Sequence, residues 1–187
     1  MVPHKQLPFT VAFLLPEEAL NLISIYKKRL EGICYKFETN DTLHLTIKYL
    51  GYPSQEFPEK LAIDLIPKIR ELLWPYIPAK VAIRGIDMFW KSPEADPVAY
   101  FKVVSEDLLK TMHEILLDKL GKFLEPFPNT DGINYKPHVT ISKFVVKSKV
   151  PRLKKLVYRS RKNKKRLLLL KDLVLFTPNS THTIISK

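Results

Sequence analysis

The phrase HLTIKYLG at residues 44–51 returns in shortened form as HVTISKF at residues 138–144. Each copy sets a histidine, an aliphatic residue, a threonine and an isoleucine in the same order, and the two histidines stand about half the chain length apart. An internal duplication with one phrase per half leaves that spacing. Both phrases are rich in β-branched and apolar residues and lack helix punctuation, which predicts strands. Side chains alternate faces along a strand, so His44, Thr46 and Lys48 are expected on one face with Leu45, Ile47 and Tyr49 on the other. The same parity groups His138, Thr140 and Ser142 opposite Val139 and Ile141. If two such strands face each other across a groove, two histidines and two threonines converge on one point.

That set of groups suits acid–base displacement at a phosphate ester. Such a reaction needs a base to take a proton from the nucleophile and an acid to protonate the leaving oxygen. Imidazole serves both ends because its ordinary pKa near 6.5 leaves each form populated around neutrality. Thr46 and Thr140 offer hydroxyl hydrogen bonds to the non-bridging phosphate oxygens. Lys48 and Ser142, sharing the motif faces, are further candidate phosphate contacts. Two histidines with threonines lack the carboxylate or third imidazole of a usual metal site, so neither a metal nor another cofactor is expected.

With Tyr135, Lys136 and Pro137 leading into the second phrase, and Lys48, Tyr49, Leu50 and Gly51 continuing the first, the chain resembles the two-histidine phosphoesterase superfamily. The branch it is most similar to is the RNA 2′,3′-cyclic phosphodiesterases, historically called 2′-5′ RNA ligases. The resemblance extends to the opening strand at 9–16 and the closing strands after 167. It implies an α+β fold in a single bilobal domain over 1–187. Two antiparallel sheets would face a central groove, with helices outside, a pseudo-two-fold internal duplication and the terminal strands in one lobe. It further implies metal-independent conversion of a terminal cyclic phosphate to a 2′-phosphate, with His44 as general acid, His138 as general base, and reversible 2′-5′ ligation.

Two departures bear on substrate binding. The opening strand often begins with arginine in that family, where this chain has Leu7, Pro8 and Phe9, and an arginine often stands where this chain has Lys143. Lysine keeps the charge and loses the bidentate fork. By strict alternation Lys143 also points away from His138, so a phosphate contact from it needs a bulge or a strand end. Tyr135 and Trp90 are candidates to stack a base. His4, His113 and His182 are expected in exposed or packing roles.

Charge points to the partner. The chain carries a net +12, and residues 151–187 hold eleven of its lysines and arginines against Asp172 alone. Such asymmetry favours an anionic polymer, with Arg159, Arg161, Lys162, Lys164 and Lys165 as expected contacts to an RNA backbone. Taken with the resemblance, this makes RNA ends bearing a 2′,3′-cyclic phosphate the expected partner, and the protein is expected to be a monomer. The start MVPHKQLP lacks the apolar core of a signal peptide and no apolar run approaches a membrane span, which predicts a cytoplasmic protein. Cys34 is the lone cysteine, so no intrachain disulfide is available.

Along the chain, periodicity and punctuation predict a strand at 9–15, a helix from 17 to about 30, and a strand at 33–38 before the first motif. A helix from 58 to about 73 follows, then strands at 80–90 and 98–104 joined by a polar loop at 91–96 that would rim the groove. Ser105 is expected to cap a helix ending at Gly121. The second motif is followed by a basic helix at 151–166 and strands at 167–176 and 181–185. Two other readings remain at this point: a module that binds cyclic or 2′-phosphorylated RNA ends without turnover, and an enzyme of the same chemistry acting on small nucleotides such as cyclic ADP-ribose phosphates or 2′-5′ oligoadenylates.

Overall fold

Helices and strands are interspersed in a computed structural model that describes residues 7–90 and 95–187. His4 and residues 91–94 of the expected rim loop lie outside the described residues. The order is β1 (Phe9–Leu14), α1 (Glu17–Leu30), β2 (Cys34–Lys36), β3 (His44–Gly51), α2 (Glu59–Asp64), α3 (Ile66–Leu73), β4 (Ala79–Phe89) and β5 (Val98–Val103). It continues with α4 (Asp107–Leu120), β6 (His138–Ser142), β7 (Phe144–Val145), α5 (Val150–Ser160), β8 (Arg166–Leu170), β9 (Leu173–Phe176) and β10 (Thr181–Ile185).

Eight strands form one antiparallel sheet in the order β10-β9-β1-β3-β6-β5-β4-β8, and β2 pairs with β7 in a small second sheet. The two antiparallel sheets expected from the sequence are thus halves of one. Four strands, β10-β9-β1-β3, meet four others, β6-β5-β4-β8, at a single residue pair between the motif strands, Leu45 opposite Val139. The terminal strands do share a half, because β1 pairs with both β3 and β9. Among the described residues no helix is long and apolar enough to cross a membrane.

The core follows from the apolar stripes. Strand β1 is buried over Phe9, Thr10, Val11, Ala12 and Phe13, as a strand with neighbours on both sides and packing on both faces must be. Helix α1 buries Ala19, Ile23, Tyr26 and Leu30, and α4 buries Leu109, Met112, His113, Leu116 and Leu120. Helix α5 seats Leu153, Val157 and Ser160, and its contact with β4 is close. A Cβ on Gly85 would lie 2.6 Å from Ser160 Oγ, and Gly85 has φ +65°. Glycine at that position lets Ser160 Oγ accept from Ile86 N–H at 3.1 Å.

Several elements differ from the sequence expectation. The helix expected over 58–73 is broken at Leu65, because Pro67 has no N–H to continue the ladder and restarts a helix in its first turn. Ser105 does not cap α4; its hydroxyl accepts from Ala82 N–H of β4 at 2.5 Å. The basic helix stops at Ser160, and Arg166 joins β8. The strand expected over 167–176 is two strands in opposite halves of the sheet, β8 against β4 and β9 against β1, with the chain crossing at Lys171 and Asp172.

Candidate active site

Because Leu45 and Val139 pair antiparallel and both are buried, their flanking residues face the other side of the sheet. Counting outward from the pair, His44 falls across from Thr140 and Thr46 across from His138. All four are half-buried. Directly opposed residues have Cβ atoms about 5 Å apart and diagonal ones about 7–8 Å. The two imidazoles therefore occupy opposite corners of a small quadrilateral whose other corners are hydroxyls. The motif strands are neighbours at the centre of one sheet, so convergence comes from pairing.

Both imidazoles are oriented alike. His44 Nδ1 lies 2.7 Å from the Thr42 carbonyl and His138 Nδ1 lies 2.7 Å from the Lys136 carbonyl, in each case two residues back. A carbonyl oxygen only accepts, so Nδ1 carries the hydrogen and Nε2 is the atom that gains or loses a proton. Burial pushes the His44 pKa below its ordinary value; the Thr42 carbonyl opposes this, Lys143 adds to it, and Glu38 opposes it. Aromatic rings flank both histidines: Phe176 stands 5.1 Å from His44, and Phe89 and Tyr100 stand 5.4 and 5.3 Å from His138.

The strict alternation expected of the motif strands fails at the same residue in each. Strand β1 pairs Ala12 with Thr46 but Val11 with Lys48, and β5 pairs Tyr100 with Thr140 but Ala99 with Ser142. Ile47 and Ile141 are the extra residues of two equivalent bulges, and a bulge carries the residue after it to the other face. Lys48 and Ser142 consequently leave the motif face, contrary to the sequence expectation. Lys48 is 1% exposed; its ammonium pairs with Asp131 at 2.8 Å and donates to the Tyr49 carbonyl at 2.7 Å. Burial lowers its pKa and Asp131 opposes the shift. Ser142 is 0% exposed and donates to the Lys36 carbonyl at 2.5 Å.

The same bulge returns Lys143 to the motif side, the condition under which it was expected to approach a phosphate. Its positive charge acts on His44, and its ammonium pairs with Glu38 at 2.9 Å. Tyr135 is not a stacking surface for a base. It is 6% exposed, lies face to face on His113 at 4.2 Å, and donates its hydroxyl to the Thr46 carbonyl at 2.8 Å. Burial holds that phenol protonated.

The sequence reading missed Tyr100 and Lys102. Strand β5 pairs Tyr100 with Thr140 and the exposed Lys102 with His138. Alternation within 98–103 marks these two as the polar side of a strand, yet nothing local says that this strand adjoins the second motif. Tyr100 has its pKa pushed up to about 12 by burial first, with Asp87 and Glu106 adding and Arg161 opposing. Arg159, Arg161, Lys162, Lys164 and Lys165 are all exposed on the end of α5 and the turn after it. Trp90 is exposed beyond β4, and His182 hydrogen-bonds Ser180 Oγ at 2.7 Å.

Comparison with known proteins places the chain in a family. The family model described as the 2′-5′ RNA ligase superfamily matches residues 23–177. Among solved structures, TT0787 of Thermus thermophilus superposes with a TM-score of 0.56 at 17% identity, covering 97% of this chain and 100% of that one. LigT of E. coli in its apo form superposes with a TM-score of 0.54 at 16% identity, covering 97% and 95%. LigT complexed with 3′-AMP gives 0.52 at 15% identity, covering 97% and 95%. At such identities the likeness is one of fold. No curated protein gives a significant match.

Proposed function

The chain belongs to the 2′-5′ RNA ligase superfamily, whose members are two-histidine phosphoesterases, and from that premise we propose that it is a metal-independent RNA 2′,3′-cyclic phosphodiesterase. The observation that carries the reading is the quadrilateral of His44, Thr46, His138 and Thr140 around the Leu45–Val139 pair. Water attacks phosphorus while one imidazole takes its proton at Nε2. The bond from phosphorus to the ribose 3′ oxygen breaks as the other imidazolium donates to that oxygen, leaving a 2′-phosphate and a 3′-hydroxyl. Thr46 and Thr140 donate to the non-bridging oxygens, where charge builds in the transition state. A 5′-hydroxyl in place of water would give a 2′-5′ linkage by the same steps.

Lys102, across from His138, and Lys143, beside His44, add positive charge on either side of the phosphate. Burial lowers the His44 pKa and so favours its neutral form in the free protein. A bound phosphodiester brings a negative charge to both imidazoles and raises them together, so the acid role implied for His44 is reached in the complex. The basic stretch after α5 supports polymeric RNA over small nucleotides, with Arg159, Arg161, Lys162, Lys164 and Lys165 holding the backbone. The nucleotide in the LigT structure with 3′-AMP supports a nucleotide phosphate in this fold. An RNA oligonucleotide ending in 2′,3′-cyclic phosphate, incubated with the protein and EDTA, should yield a 2′-phosphate end. Tight binding with no product would make the protein a recognition module, and turnover of cyclic mononucleotides alone would point to small substrates.

A further inference from the structure

On the core side of β3 stands a buried polar cluster that acid–base chemistry does not use. The bulge leaves two successive carbonyls, those of Thr46 and Ile47, turned toward α4 and the loop before β6. Tyr135 donates its hydroxyl to the first at 2.8 Å and His113 Nδ1 lies 2.7 Å from the second. That carbonyl accepts, so His113 Nδ1 carries the hydrogen, and its Nε2 accepts Gly132 N–H at 3.2 Å. The two rings stack at 3° between planes. One residue along, Lys48 pairs with Asp131, whose other oxygen accepts Phe127 N–H at 2.8 Å.

The second motif is built differently at the matching point. There the carbonyl of Ile141 accepts a backbone N–H, that of Glu38, at 2.9 Å. The first bulge is thus held by side chains, and one of them, Tyr135, lies three residues before His138. We infer that Tyr135 and His113 are positioning residues: by clamping the Thr46 and Ile47 carbonyls they fix the turn of β3 that sets His44 and Thr46 against His138 and Thr140. Neither touches the reacting atoms. Strand β3 pairs with β1 along one edge, but toward β6 a single residue pair sets the approach of the two motifs, and misplacement by about 1 Å can cost up to about a hundredfold in rate.

The inference rests on the proposed phosphodiesterase reading, and its test separates the two. Tyr135→Phe keeps the ring stacked on His113 and deletes only the hydroxyl. It should lower kcat on a 2′,3′-cyclic mononucleotide about tenfold with KM changed less than about twofold. In a Thr46→Val background the same change should cost less than it does in the wild type, because the Thr46 hydroxyl, one of the two groups being positioned, is gone. His113→Asn, which can still donate to Ile47, should retain more kcat than His113→Leu. By NMR, Tyr135→Phe should shift the His44 and Thr46 side-chain resonances in a protein that still unfolds cooperatively. Unmoved resonances overturn the inference whether or not the wild type turns substrate over, and so does a kcat loss that multiplies with that of Thr46→Val. A wild type whose resonances respond but that shows no turnover sinks the enzymatic reading alone.

Discussion

Leu45 faces Val139 across the seam of the sheet, and among the described residues this is the pair that joins the two halves. Its two side chains point into the core, which is why the residues on either side of each point out of it together. Thr46→Val and Thr140→Val should both fold normally, since valine is nearly isosteric, and lose about 3 kcal/mol or less of transition-state stabilisation, a fall of roughly ten- to a hundredfold in kcat. Full specific activity in variants that melt early would mean that the hydroxyls serve packing.

The lowered pKa of His44 has a cause that can be removed. Lys143 pushes it down and Glu38 pushes it up, so Lys143→Ala should move the His44 titration to higher pH and Glu38→Gln to lower pH, as read from imidazole NMR. A His44 titration that ignores both changes would put Lys143 away from the site.

His44 and His113 both titrate below the ordinary value of 6.5, with burial the first cause in each. The unfolded chain then binds these protons more readily than the folded one. Stability from the two groups is complete above the unfolded value and declines as pH falls through 6.5 toward the lower folded values. The urea midpoint should therefore drop between about pH 7.5 and 5.5, less steeply in His113→Asn. An equal slope in that variant would mean that His113 contributes nothing to the linkage.

Asp131 is the counter-ion of a lysine whose side chain is wholly buried. Asp131→Ala strands that ammonium and should cost about 3–5 kcal/mol, measured by urea unfolding. Pairing Lys48→Met with Asp131→Asn removes both charges and should recover much of the loss. A double variant no more stable than Asp131→Ala would show that the stranded ammonium is not the source of the loss.

Charge on the turn after α5 should be felt by a polymer and not by a mononucleotide. Each neutralised phosphate of single-stranded RNA contributes a slope of about −0.7 in log K against log salt. Changing Arg161, Lys162, Lys164 and Lys165 to alanine should flatten the slope by up to about 2 to 3 units while leaving turnover of a cyclic mononucleotide nearly intact. Equal slopes would make the stretch a solvated face.

That His44, Thr46, His138 and Thr140 would come together was legible because the repeated phrase marks both strands, and the pairing of β3 with β6 brings the two copies side by side. Lys48 and Ser142 were misplaced because a bulge has no signature of its own: Ile47 and Ile141 look like ordinary strand residues, and the extra residue is defined by what β1 and β5 pair with. Lys102 escaped notice for a related reason, since β5 lies beside β6 only through long-range pairing. The break at Leu65 had a local cause in Pro67 and was open to reading, whereas the division of 167–176 between opposite halves of the sheet depends on where β1 and β4 run.

The most direct test is turnover of a 2′,3′-cyclic mononucleotide, in EDTA, by the wild type, His44→Ala, His138→Ala and the double variant. The account predicts a bell-shaped pH profile for the wild type and a loss of about a hundredfold or more in kcat for either single variant. The double variant should be little worse than the poorer single, because the two imidazoles serve one displacement. Undiminished turnover in the double variant would contradict it.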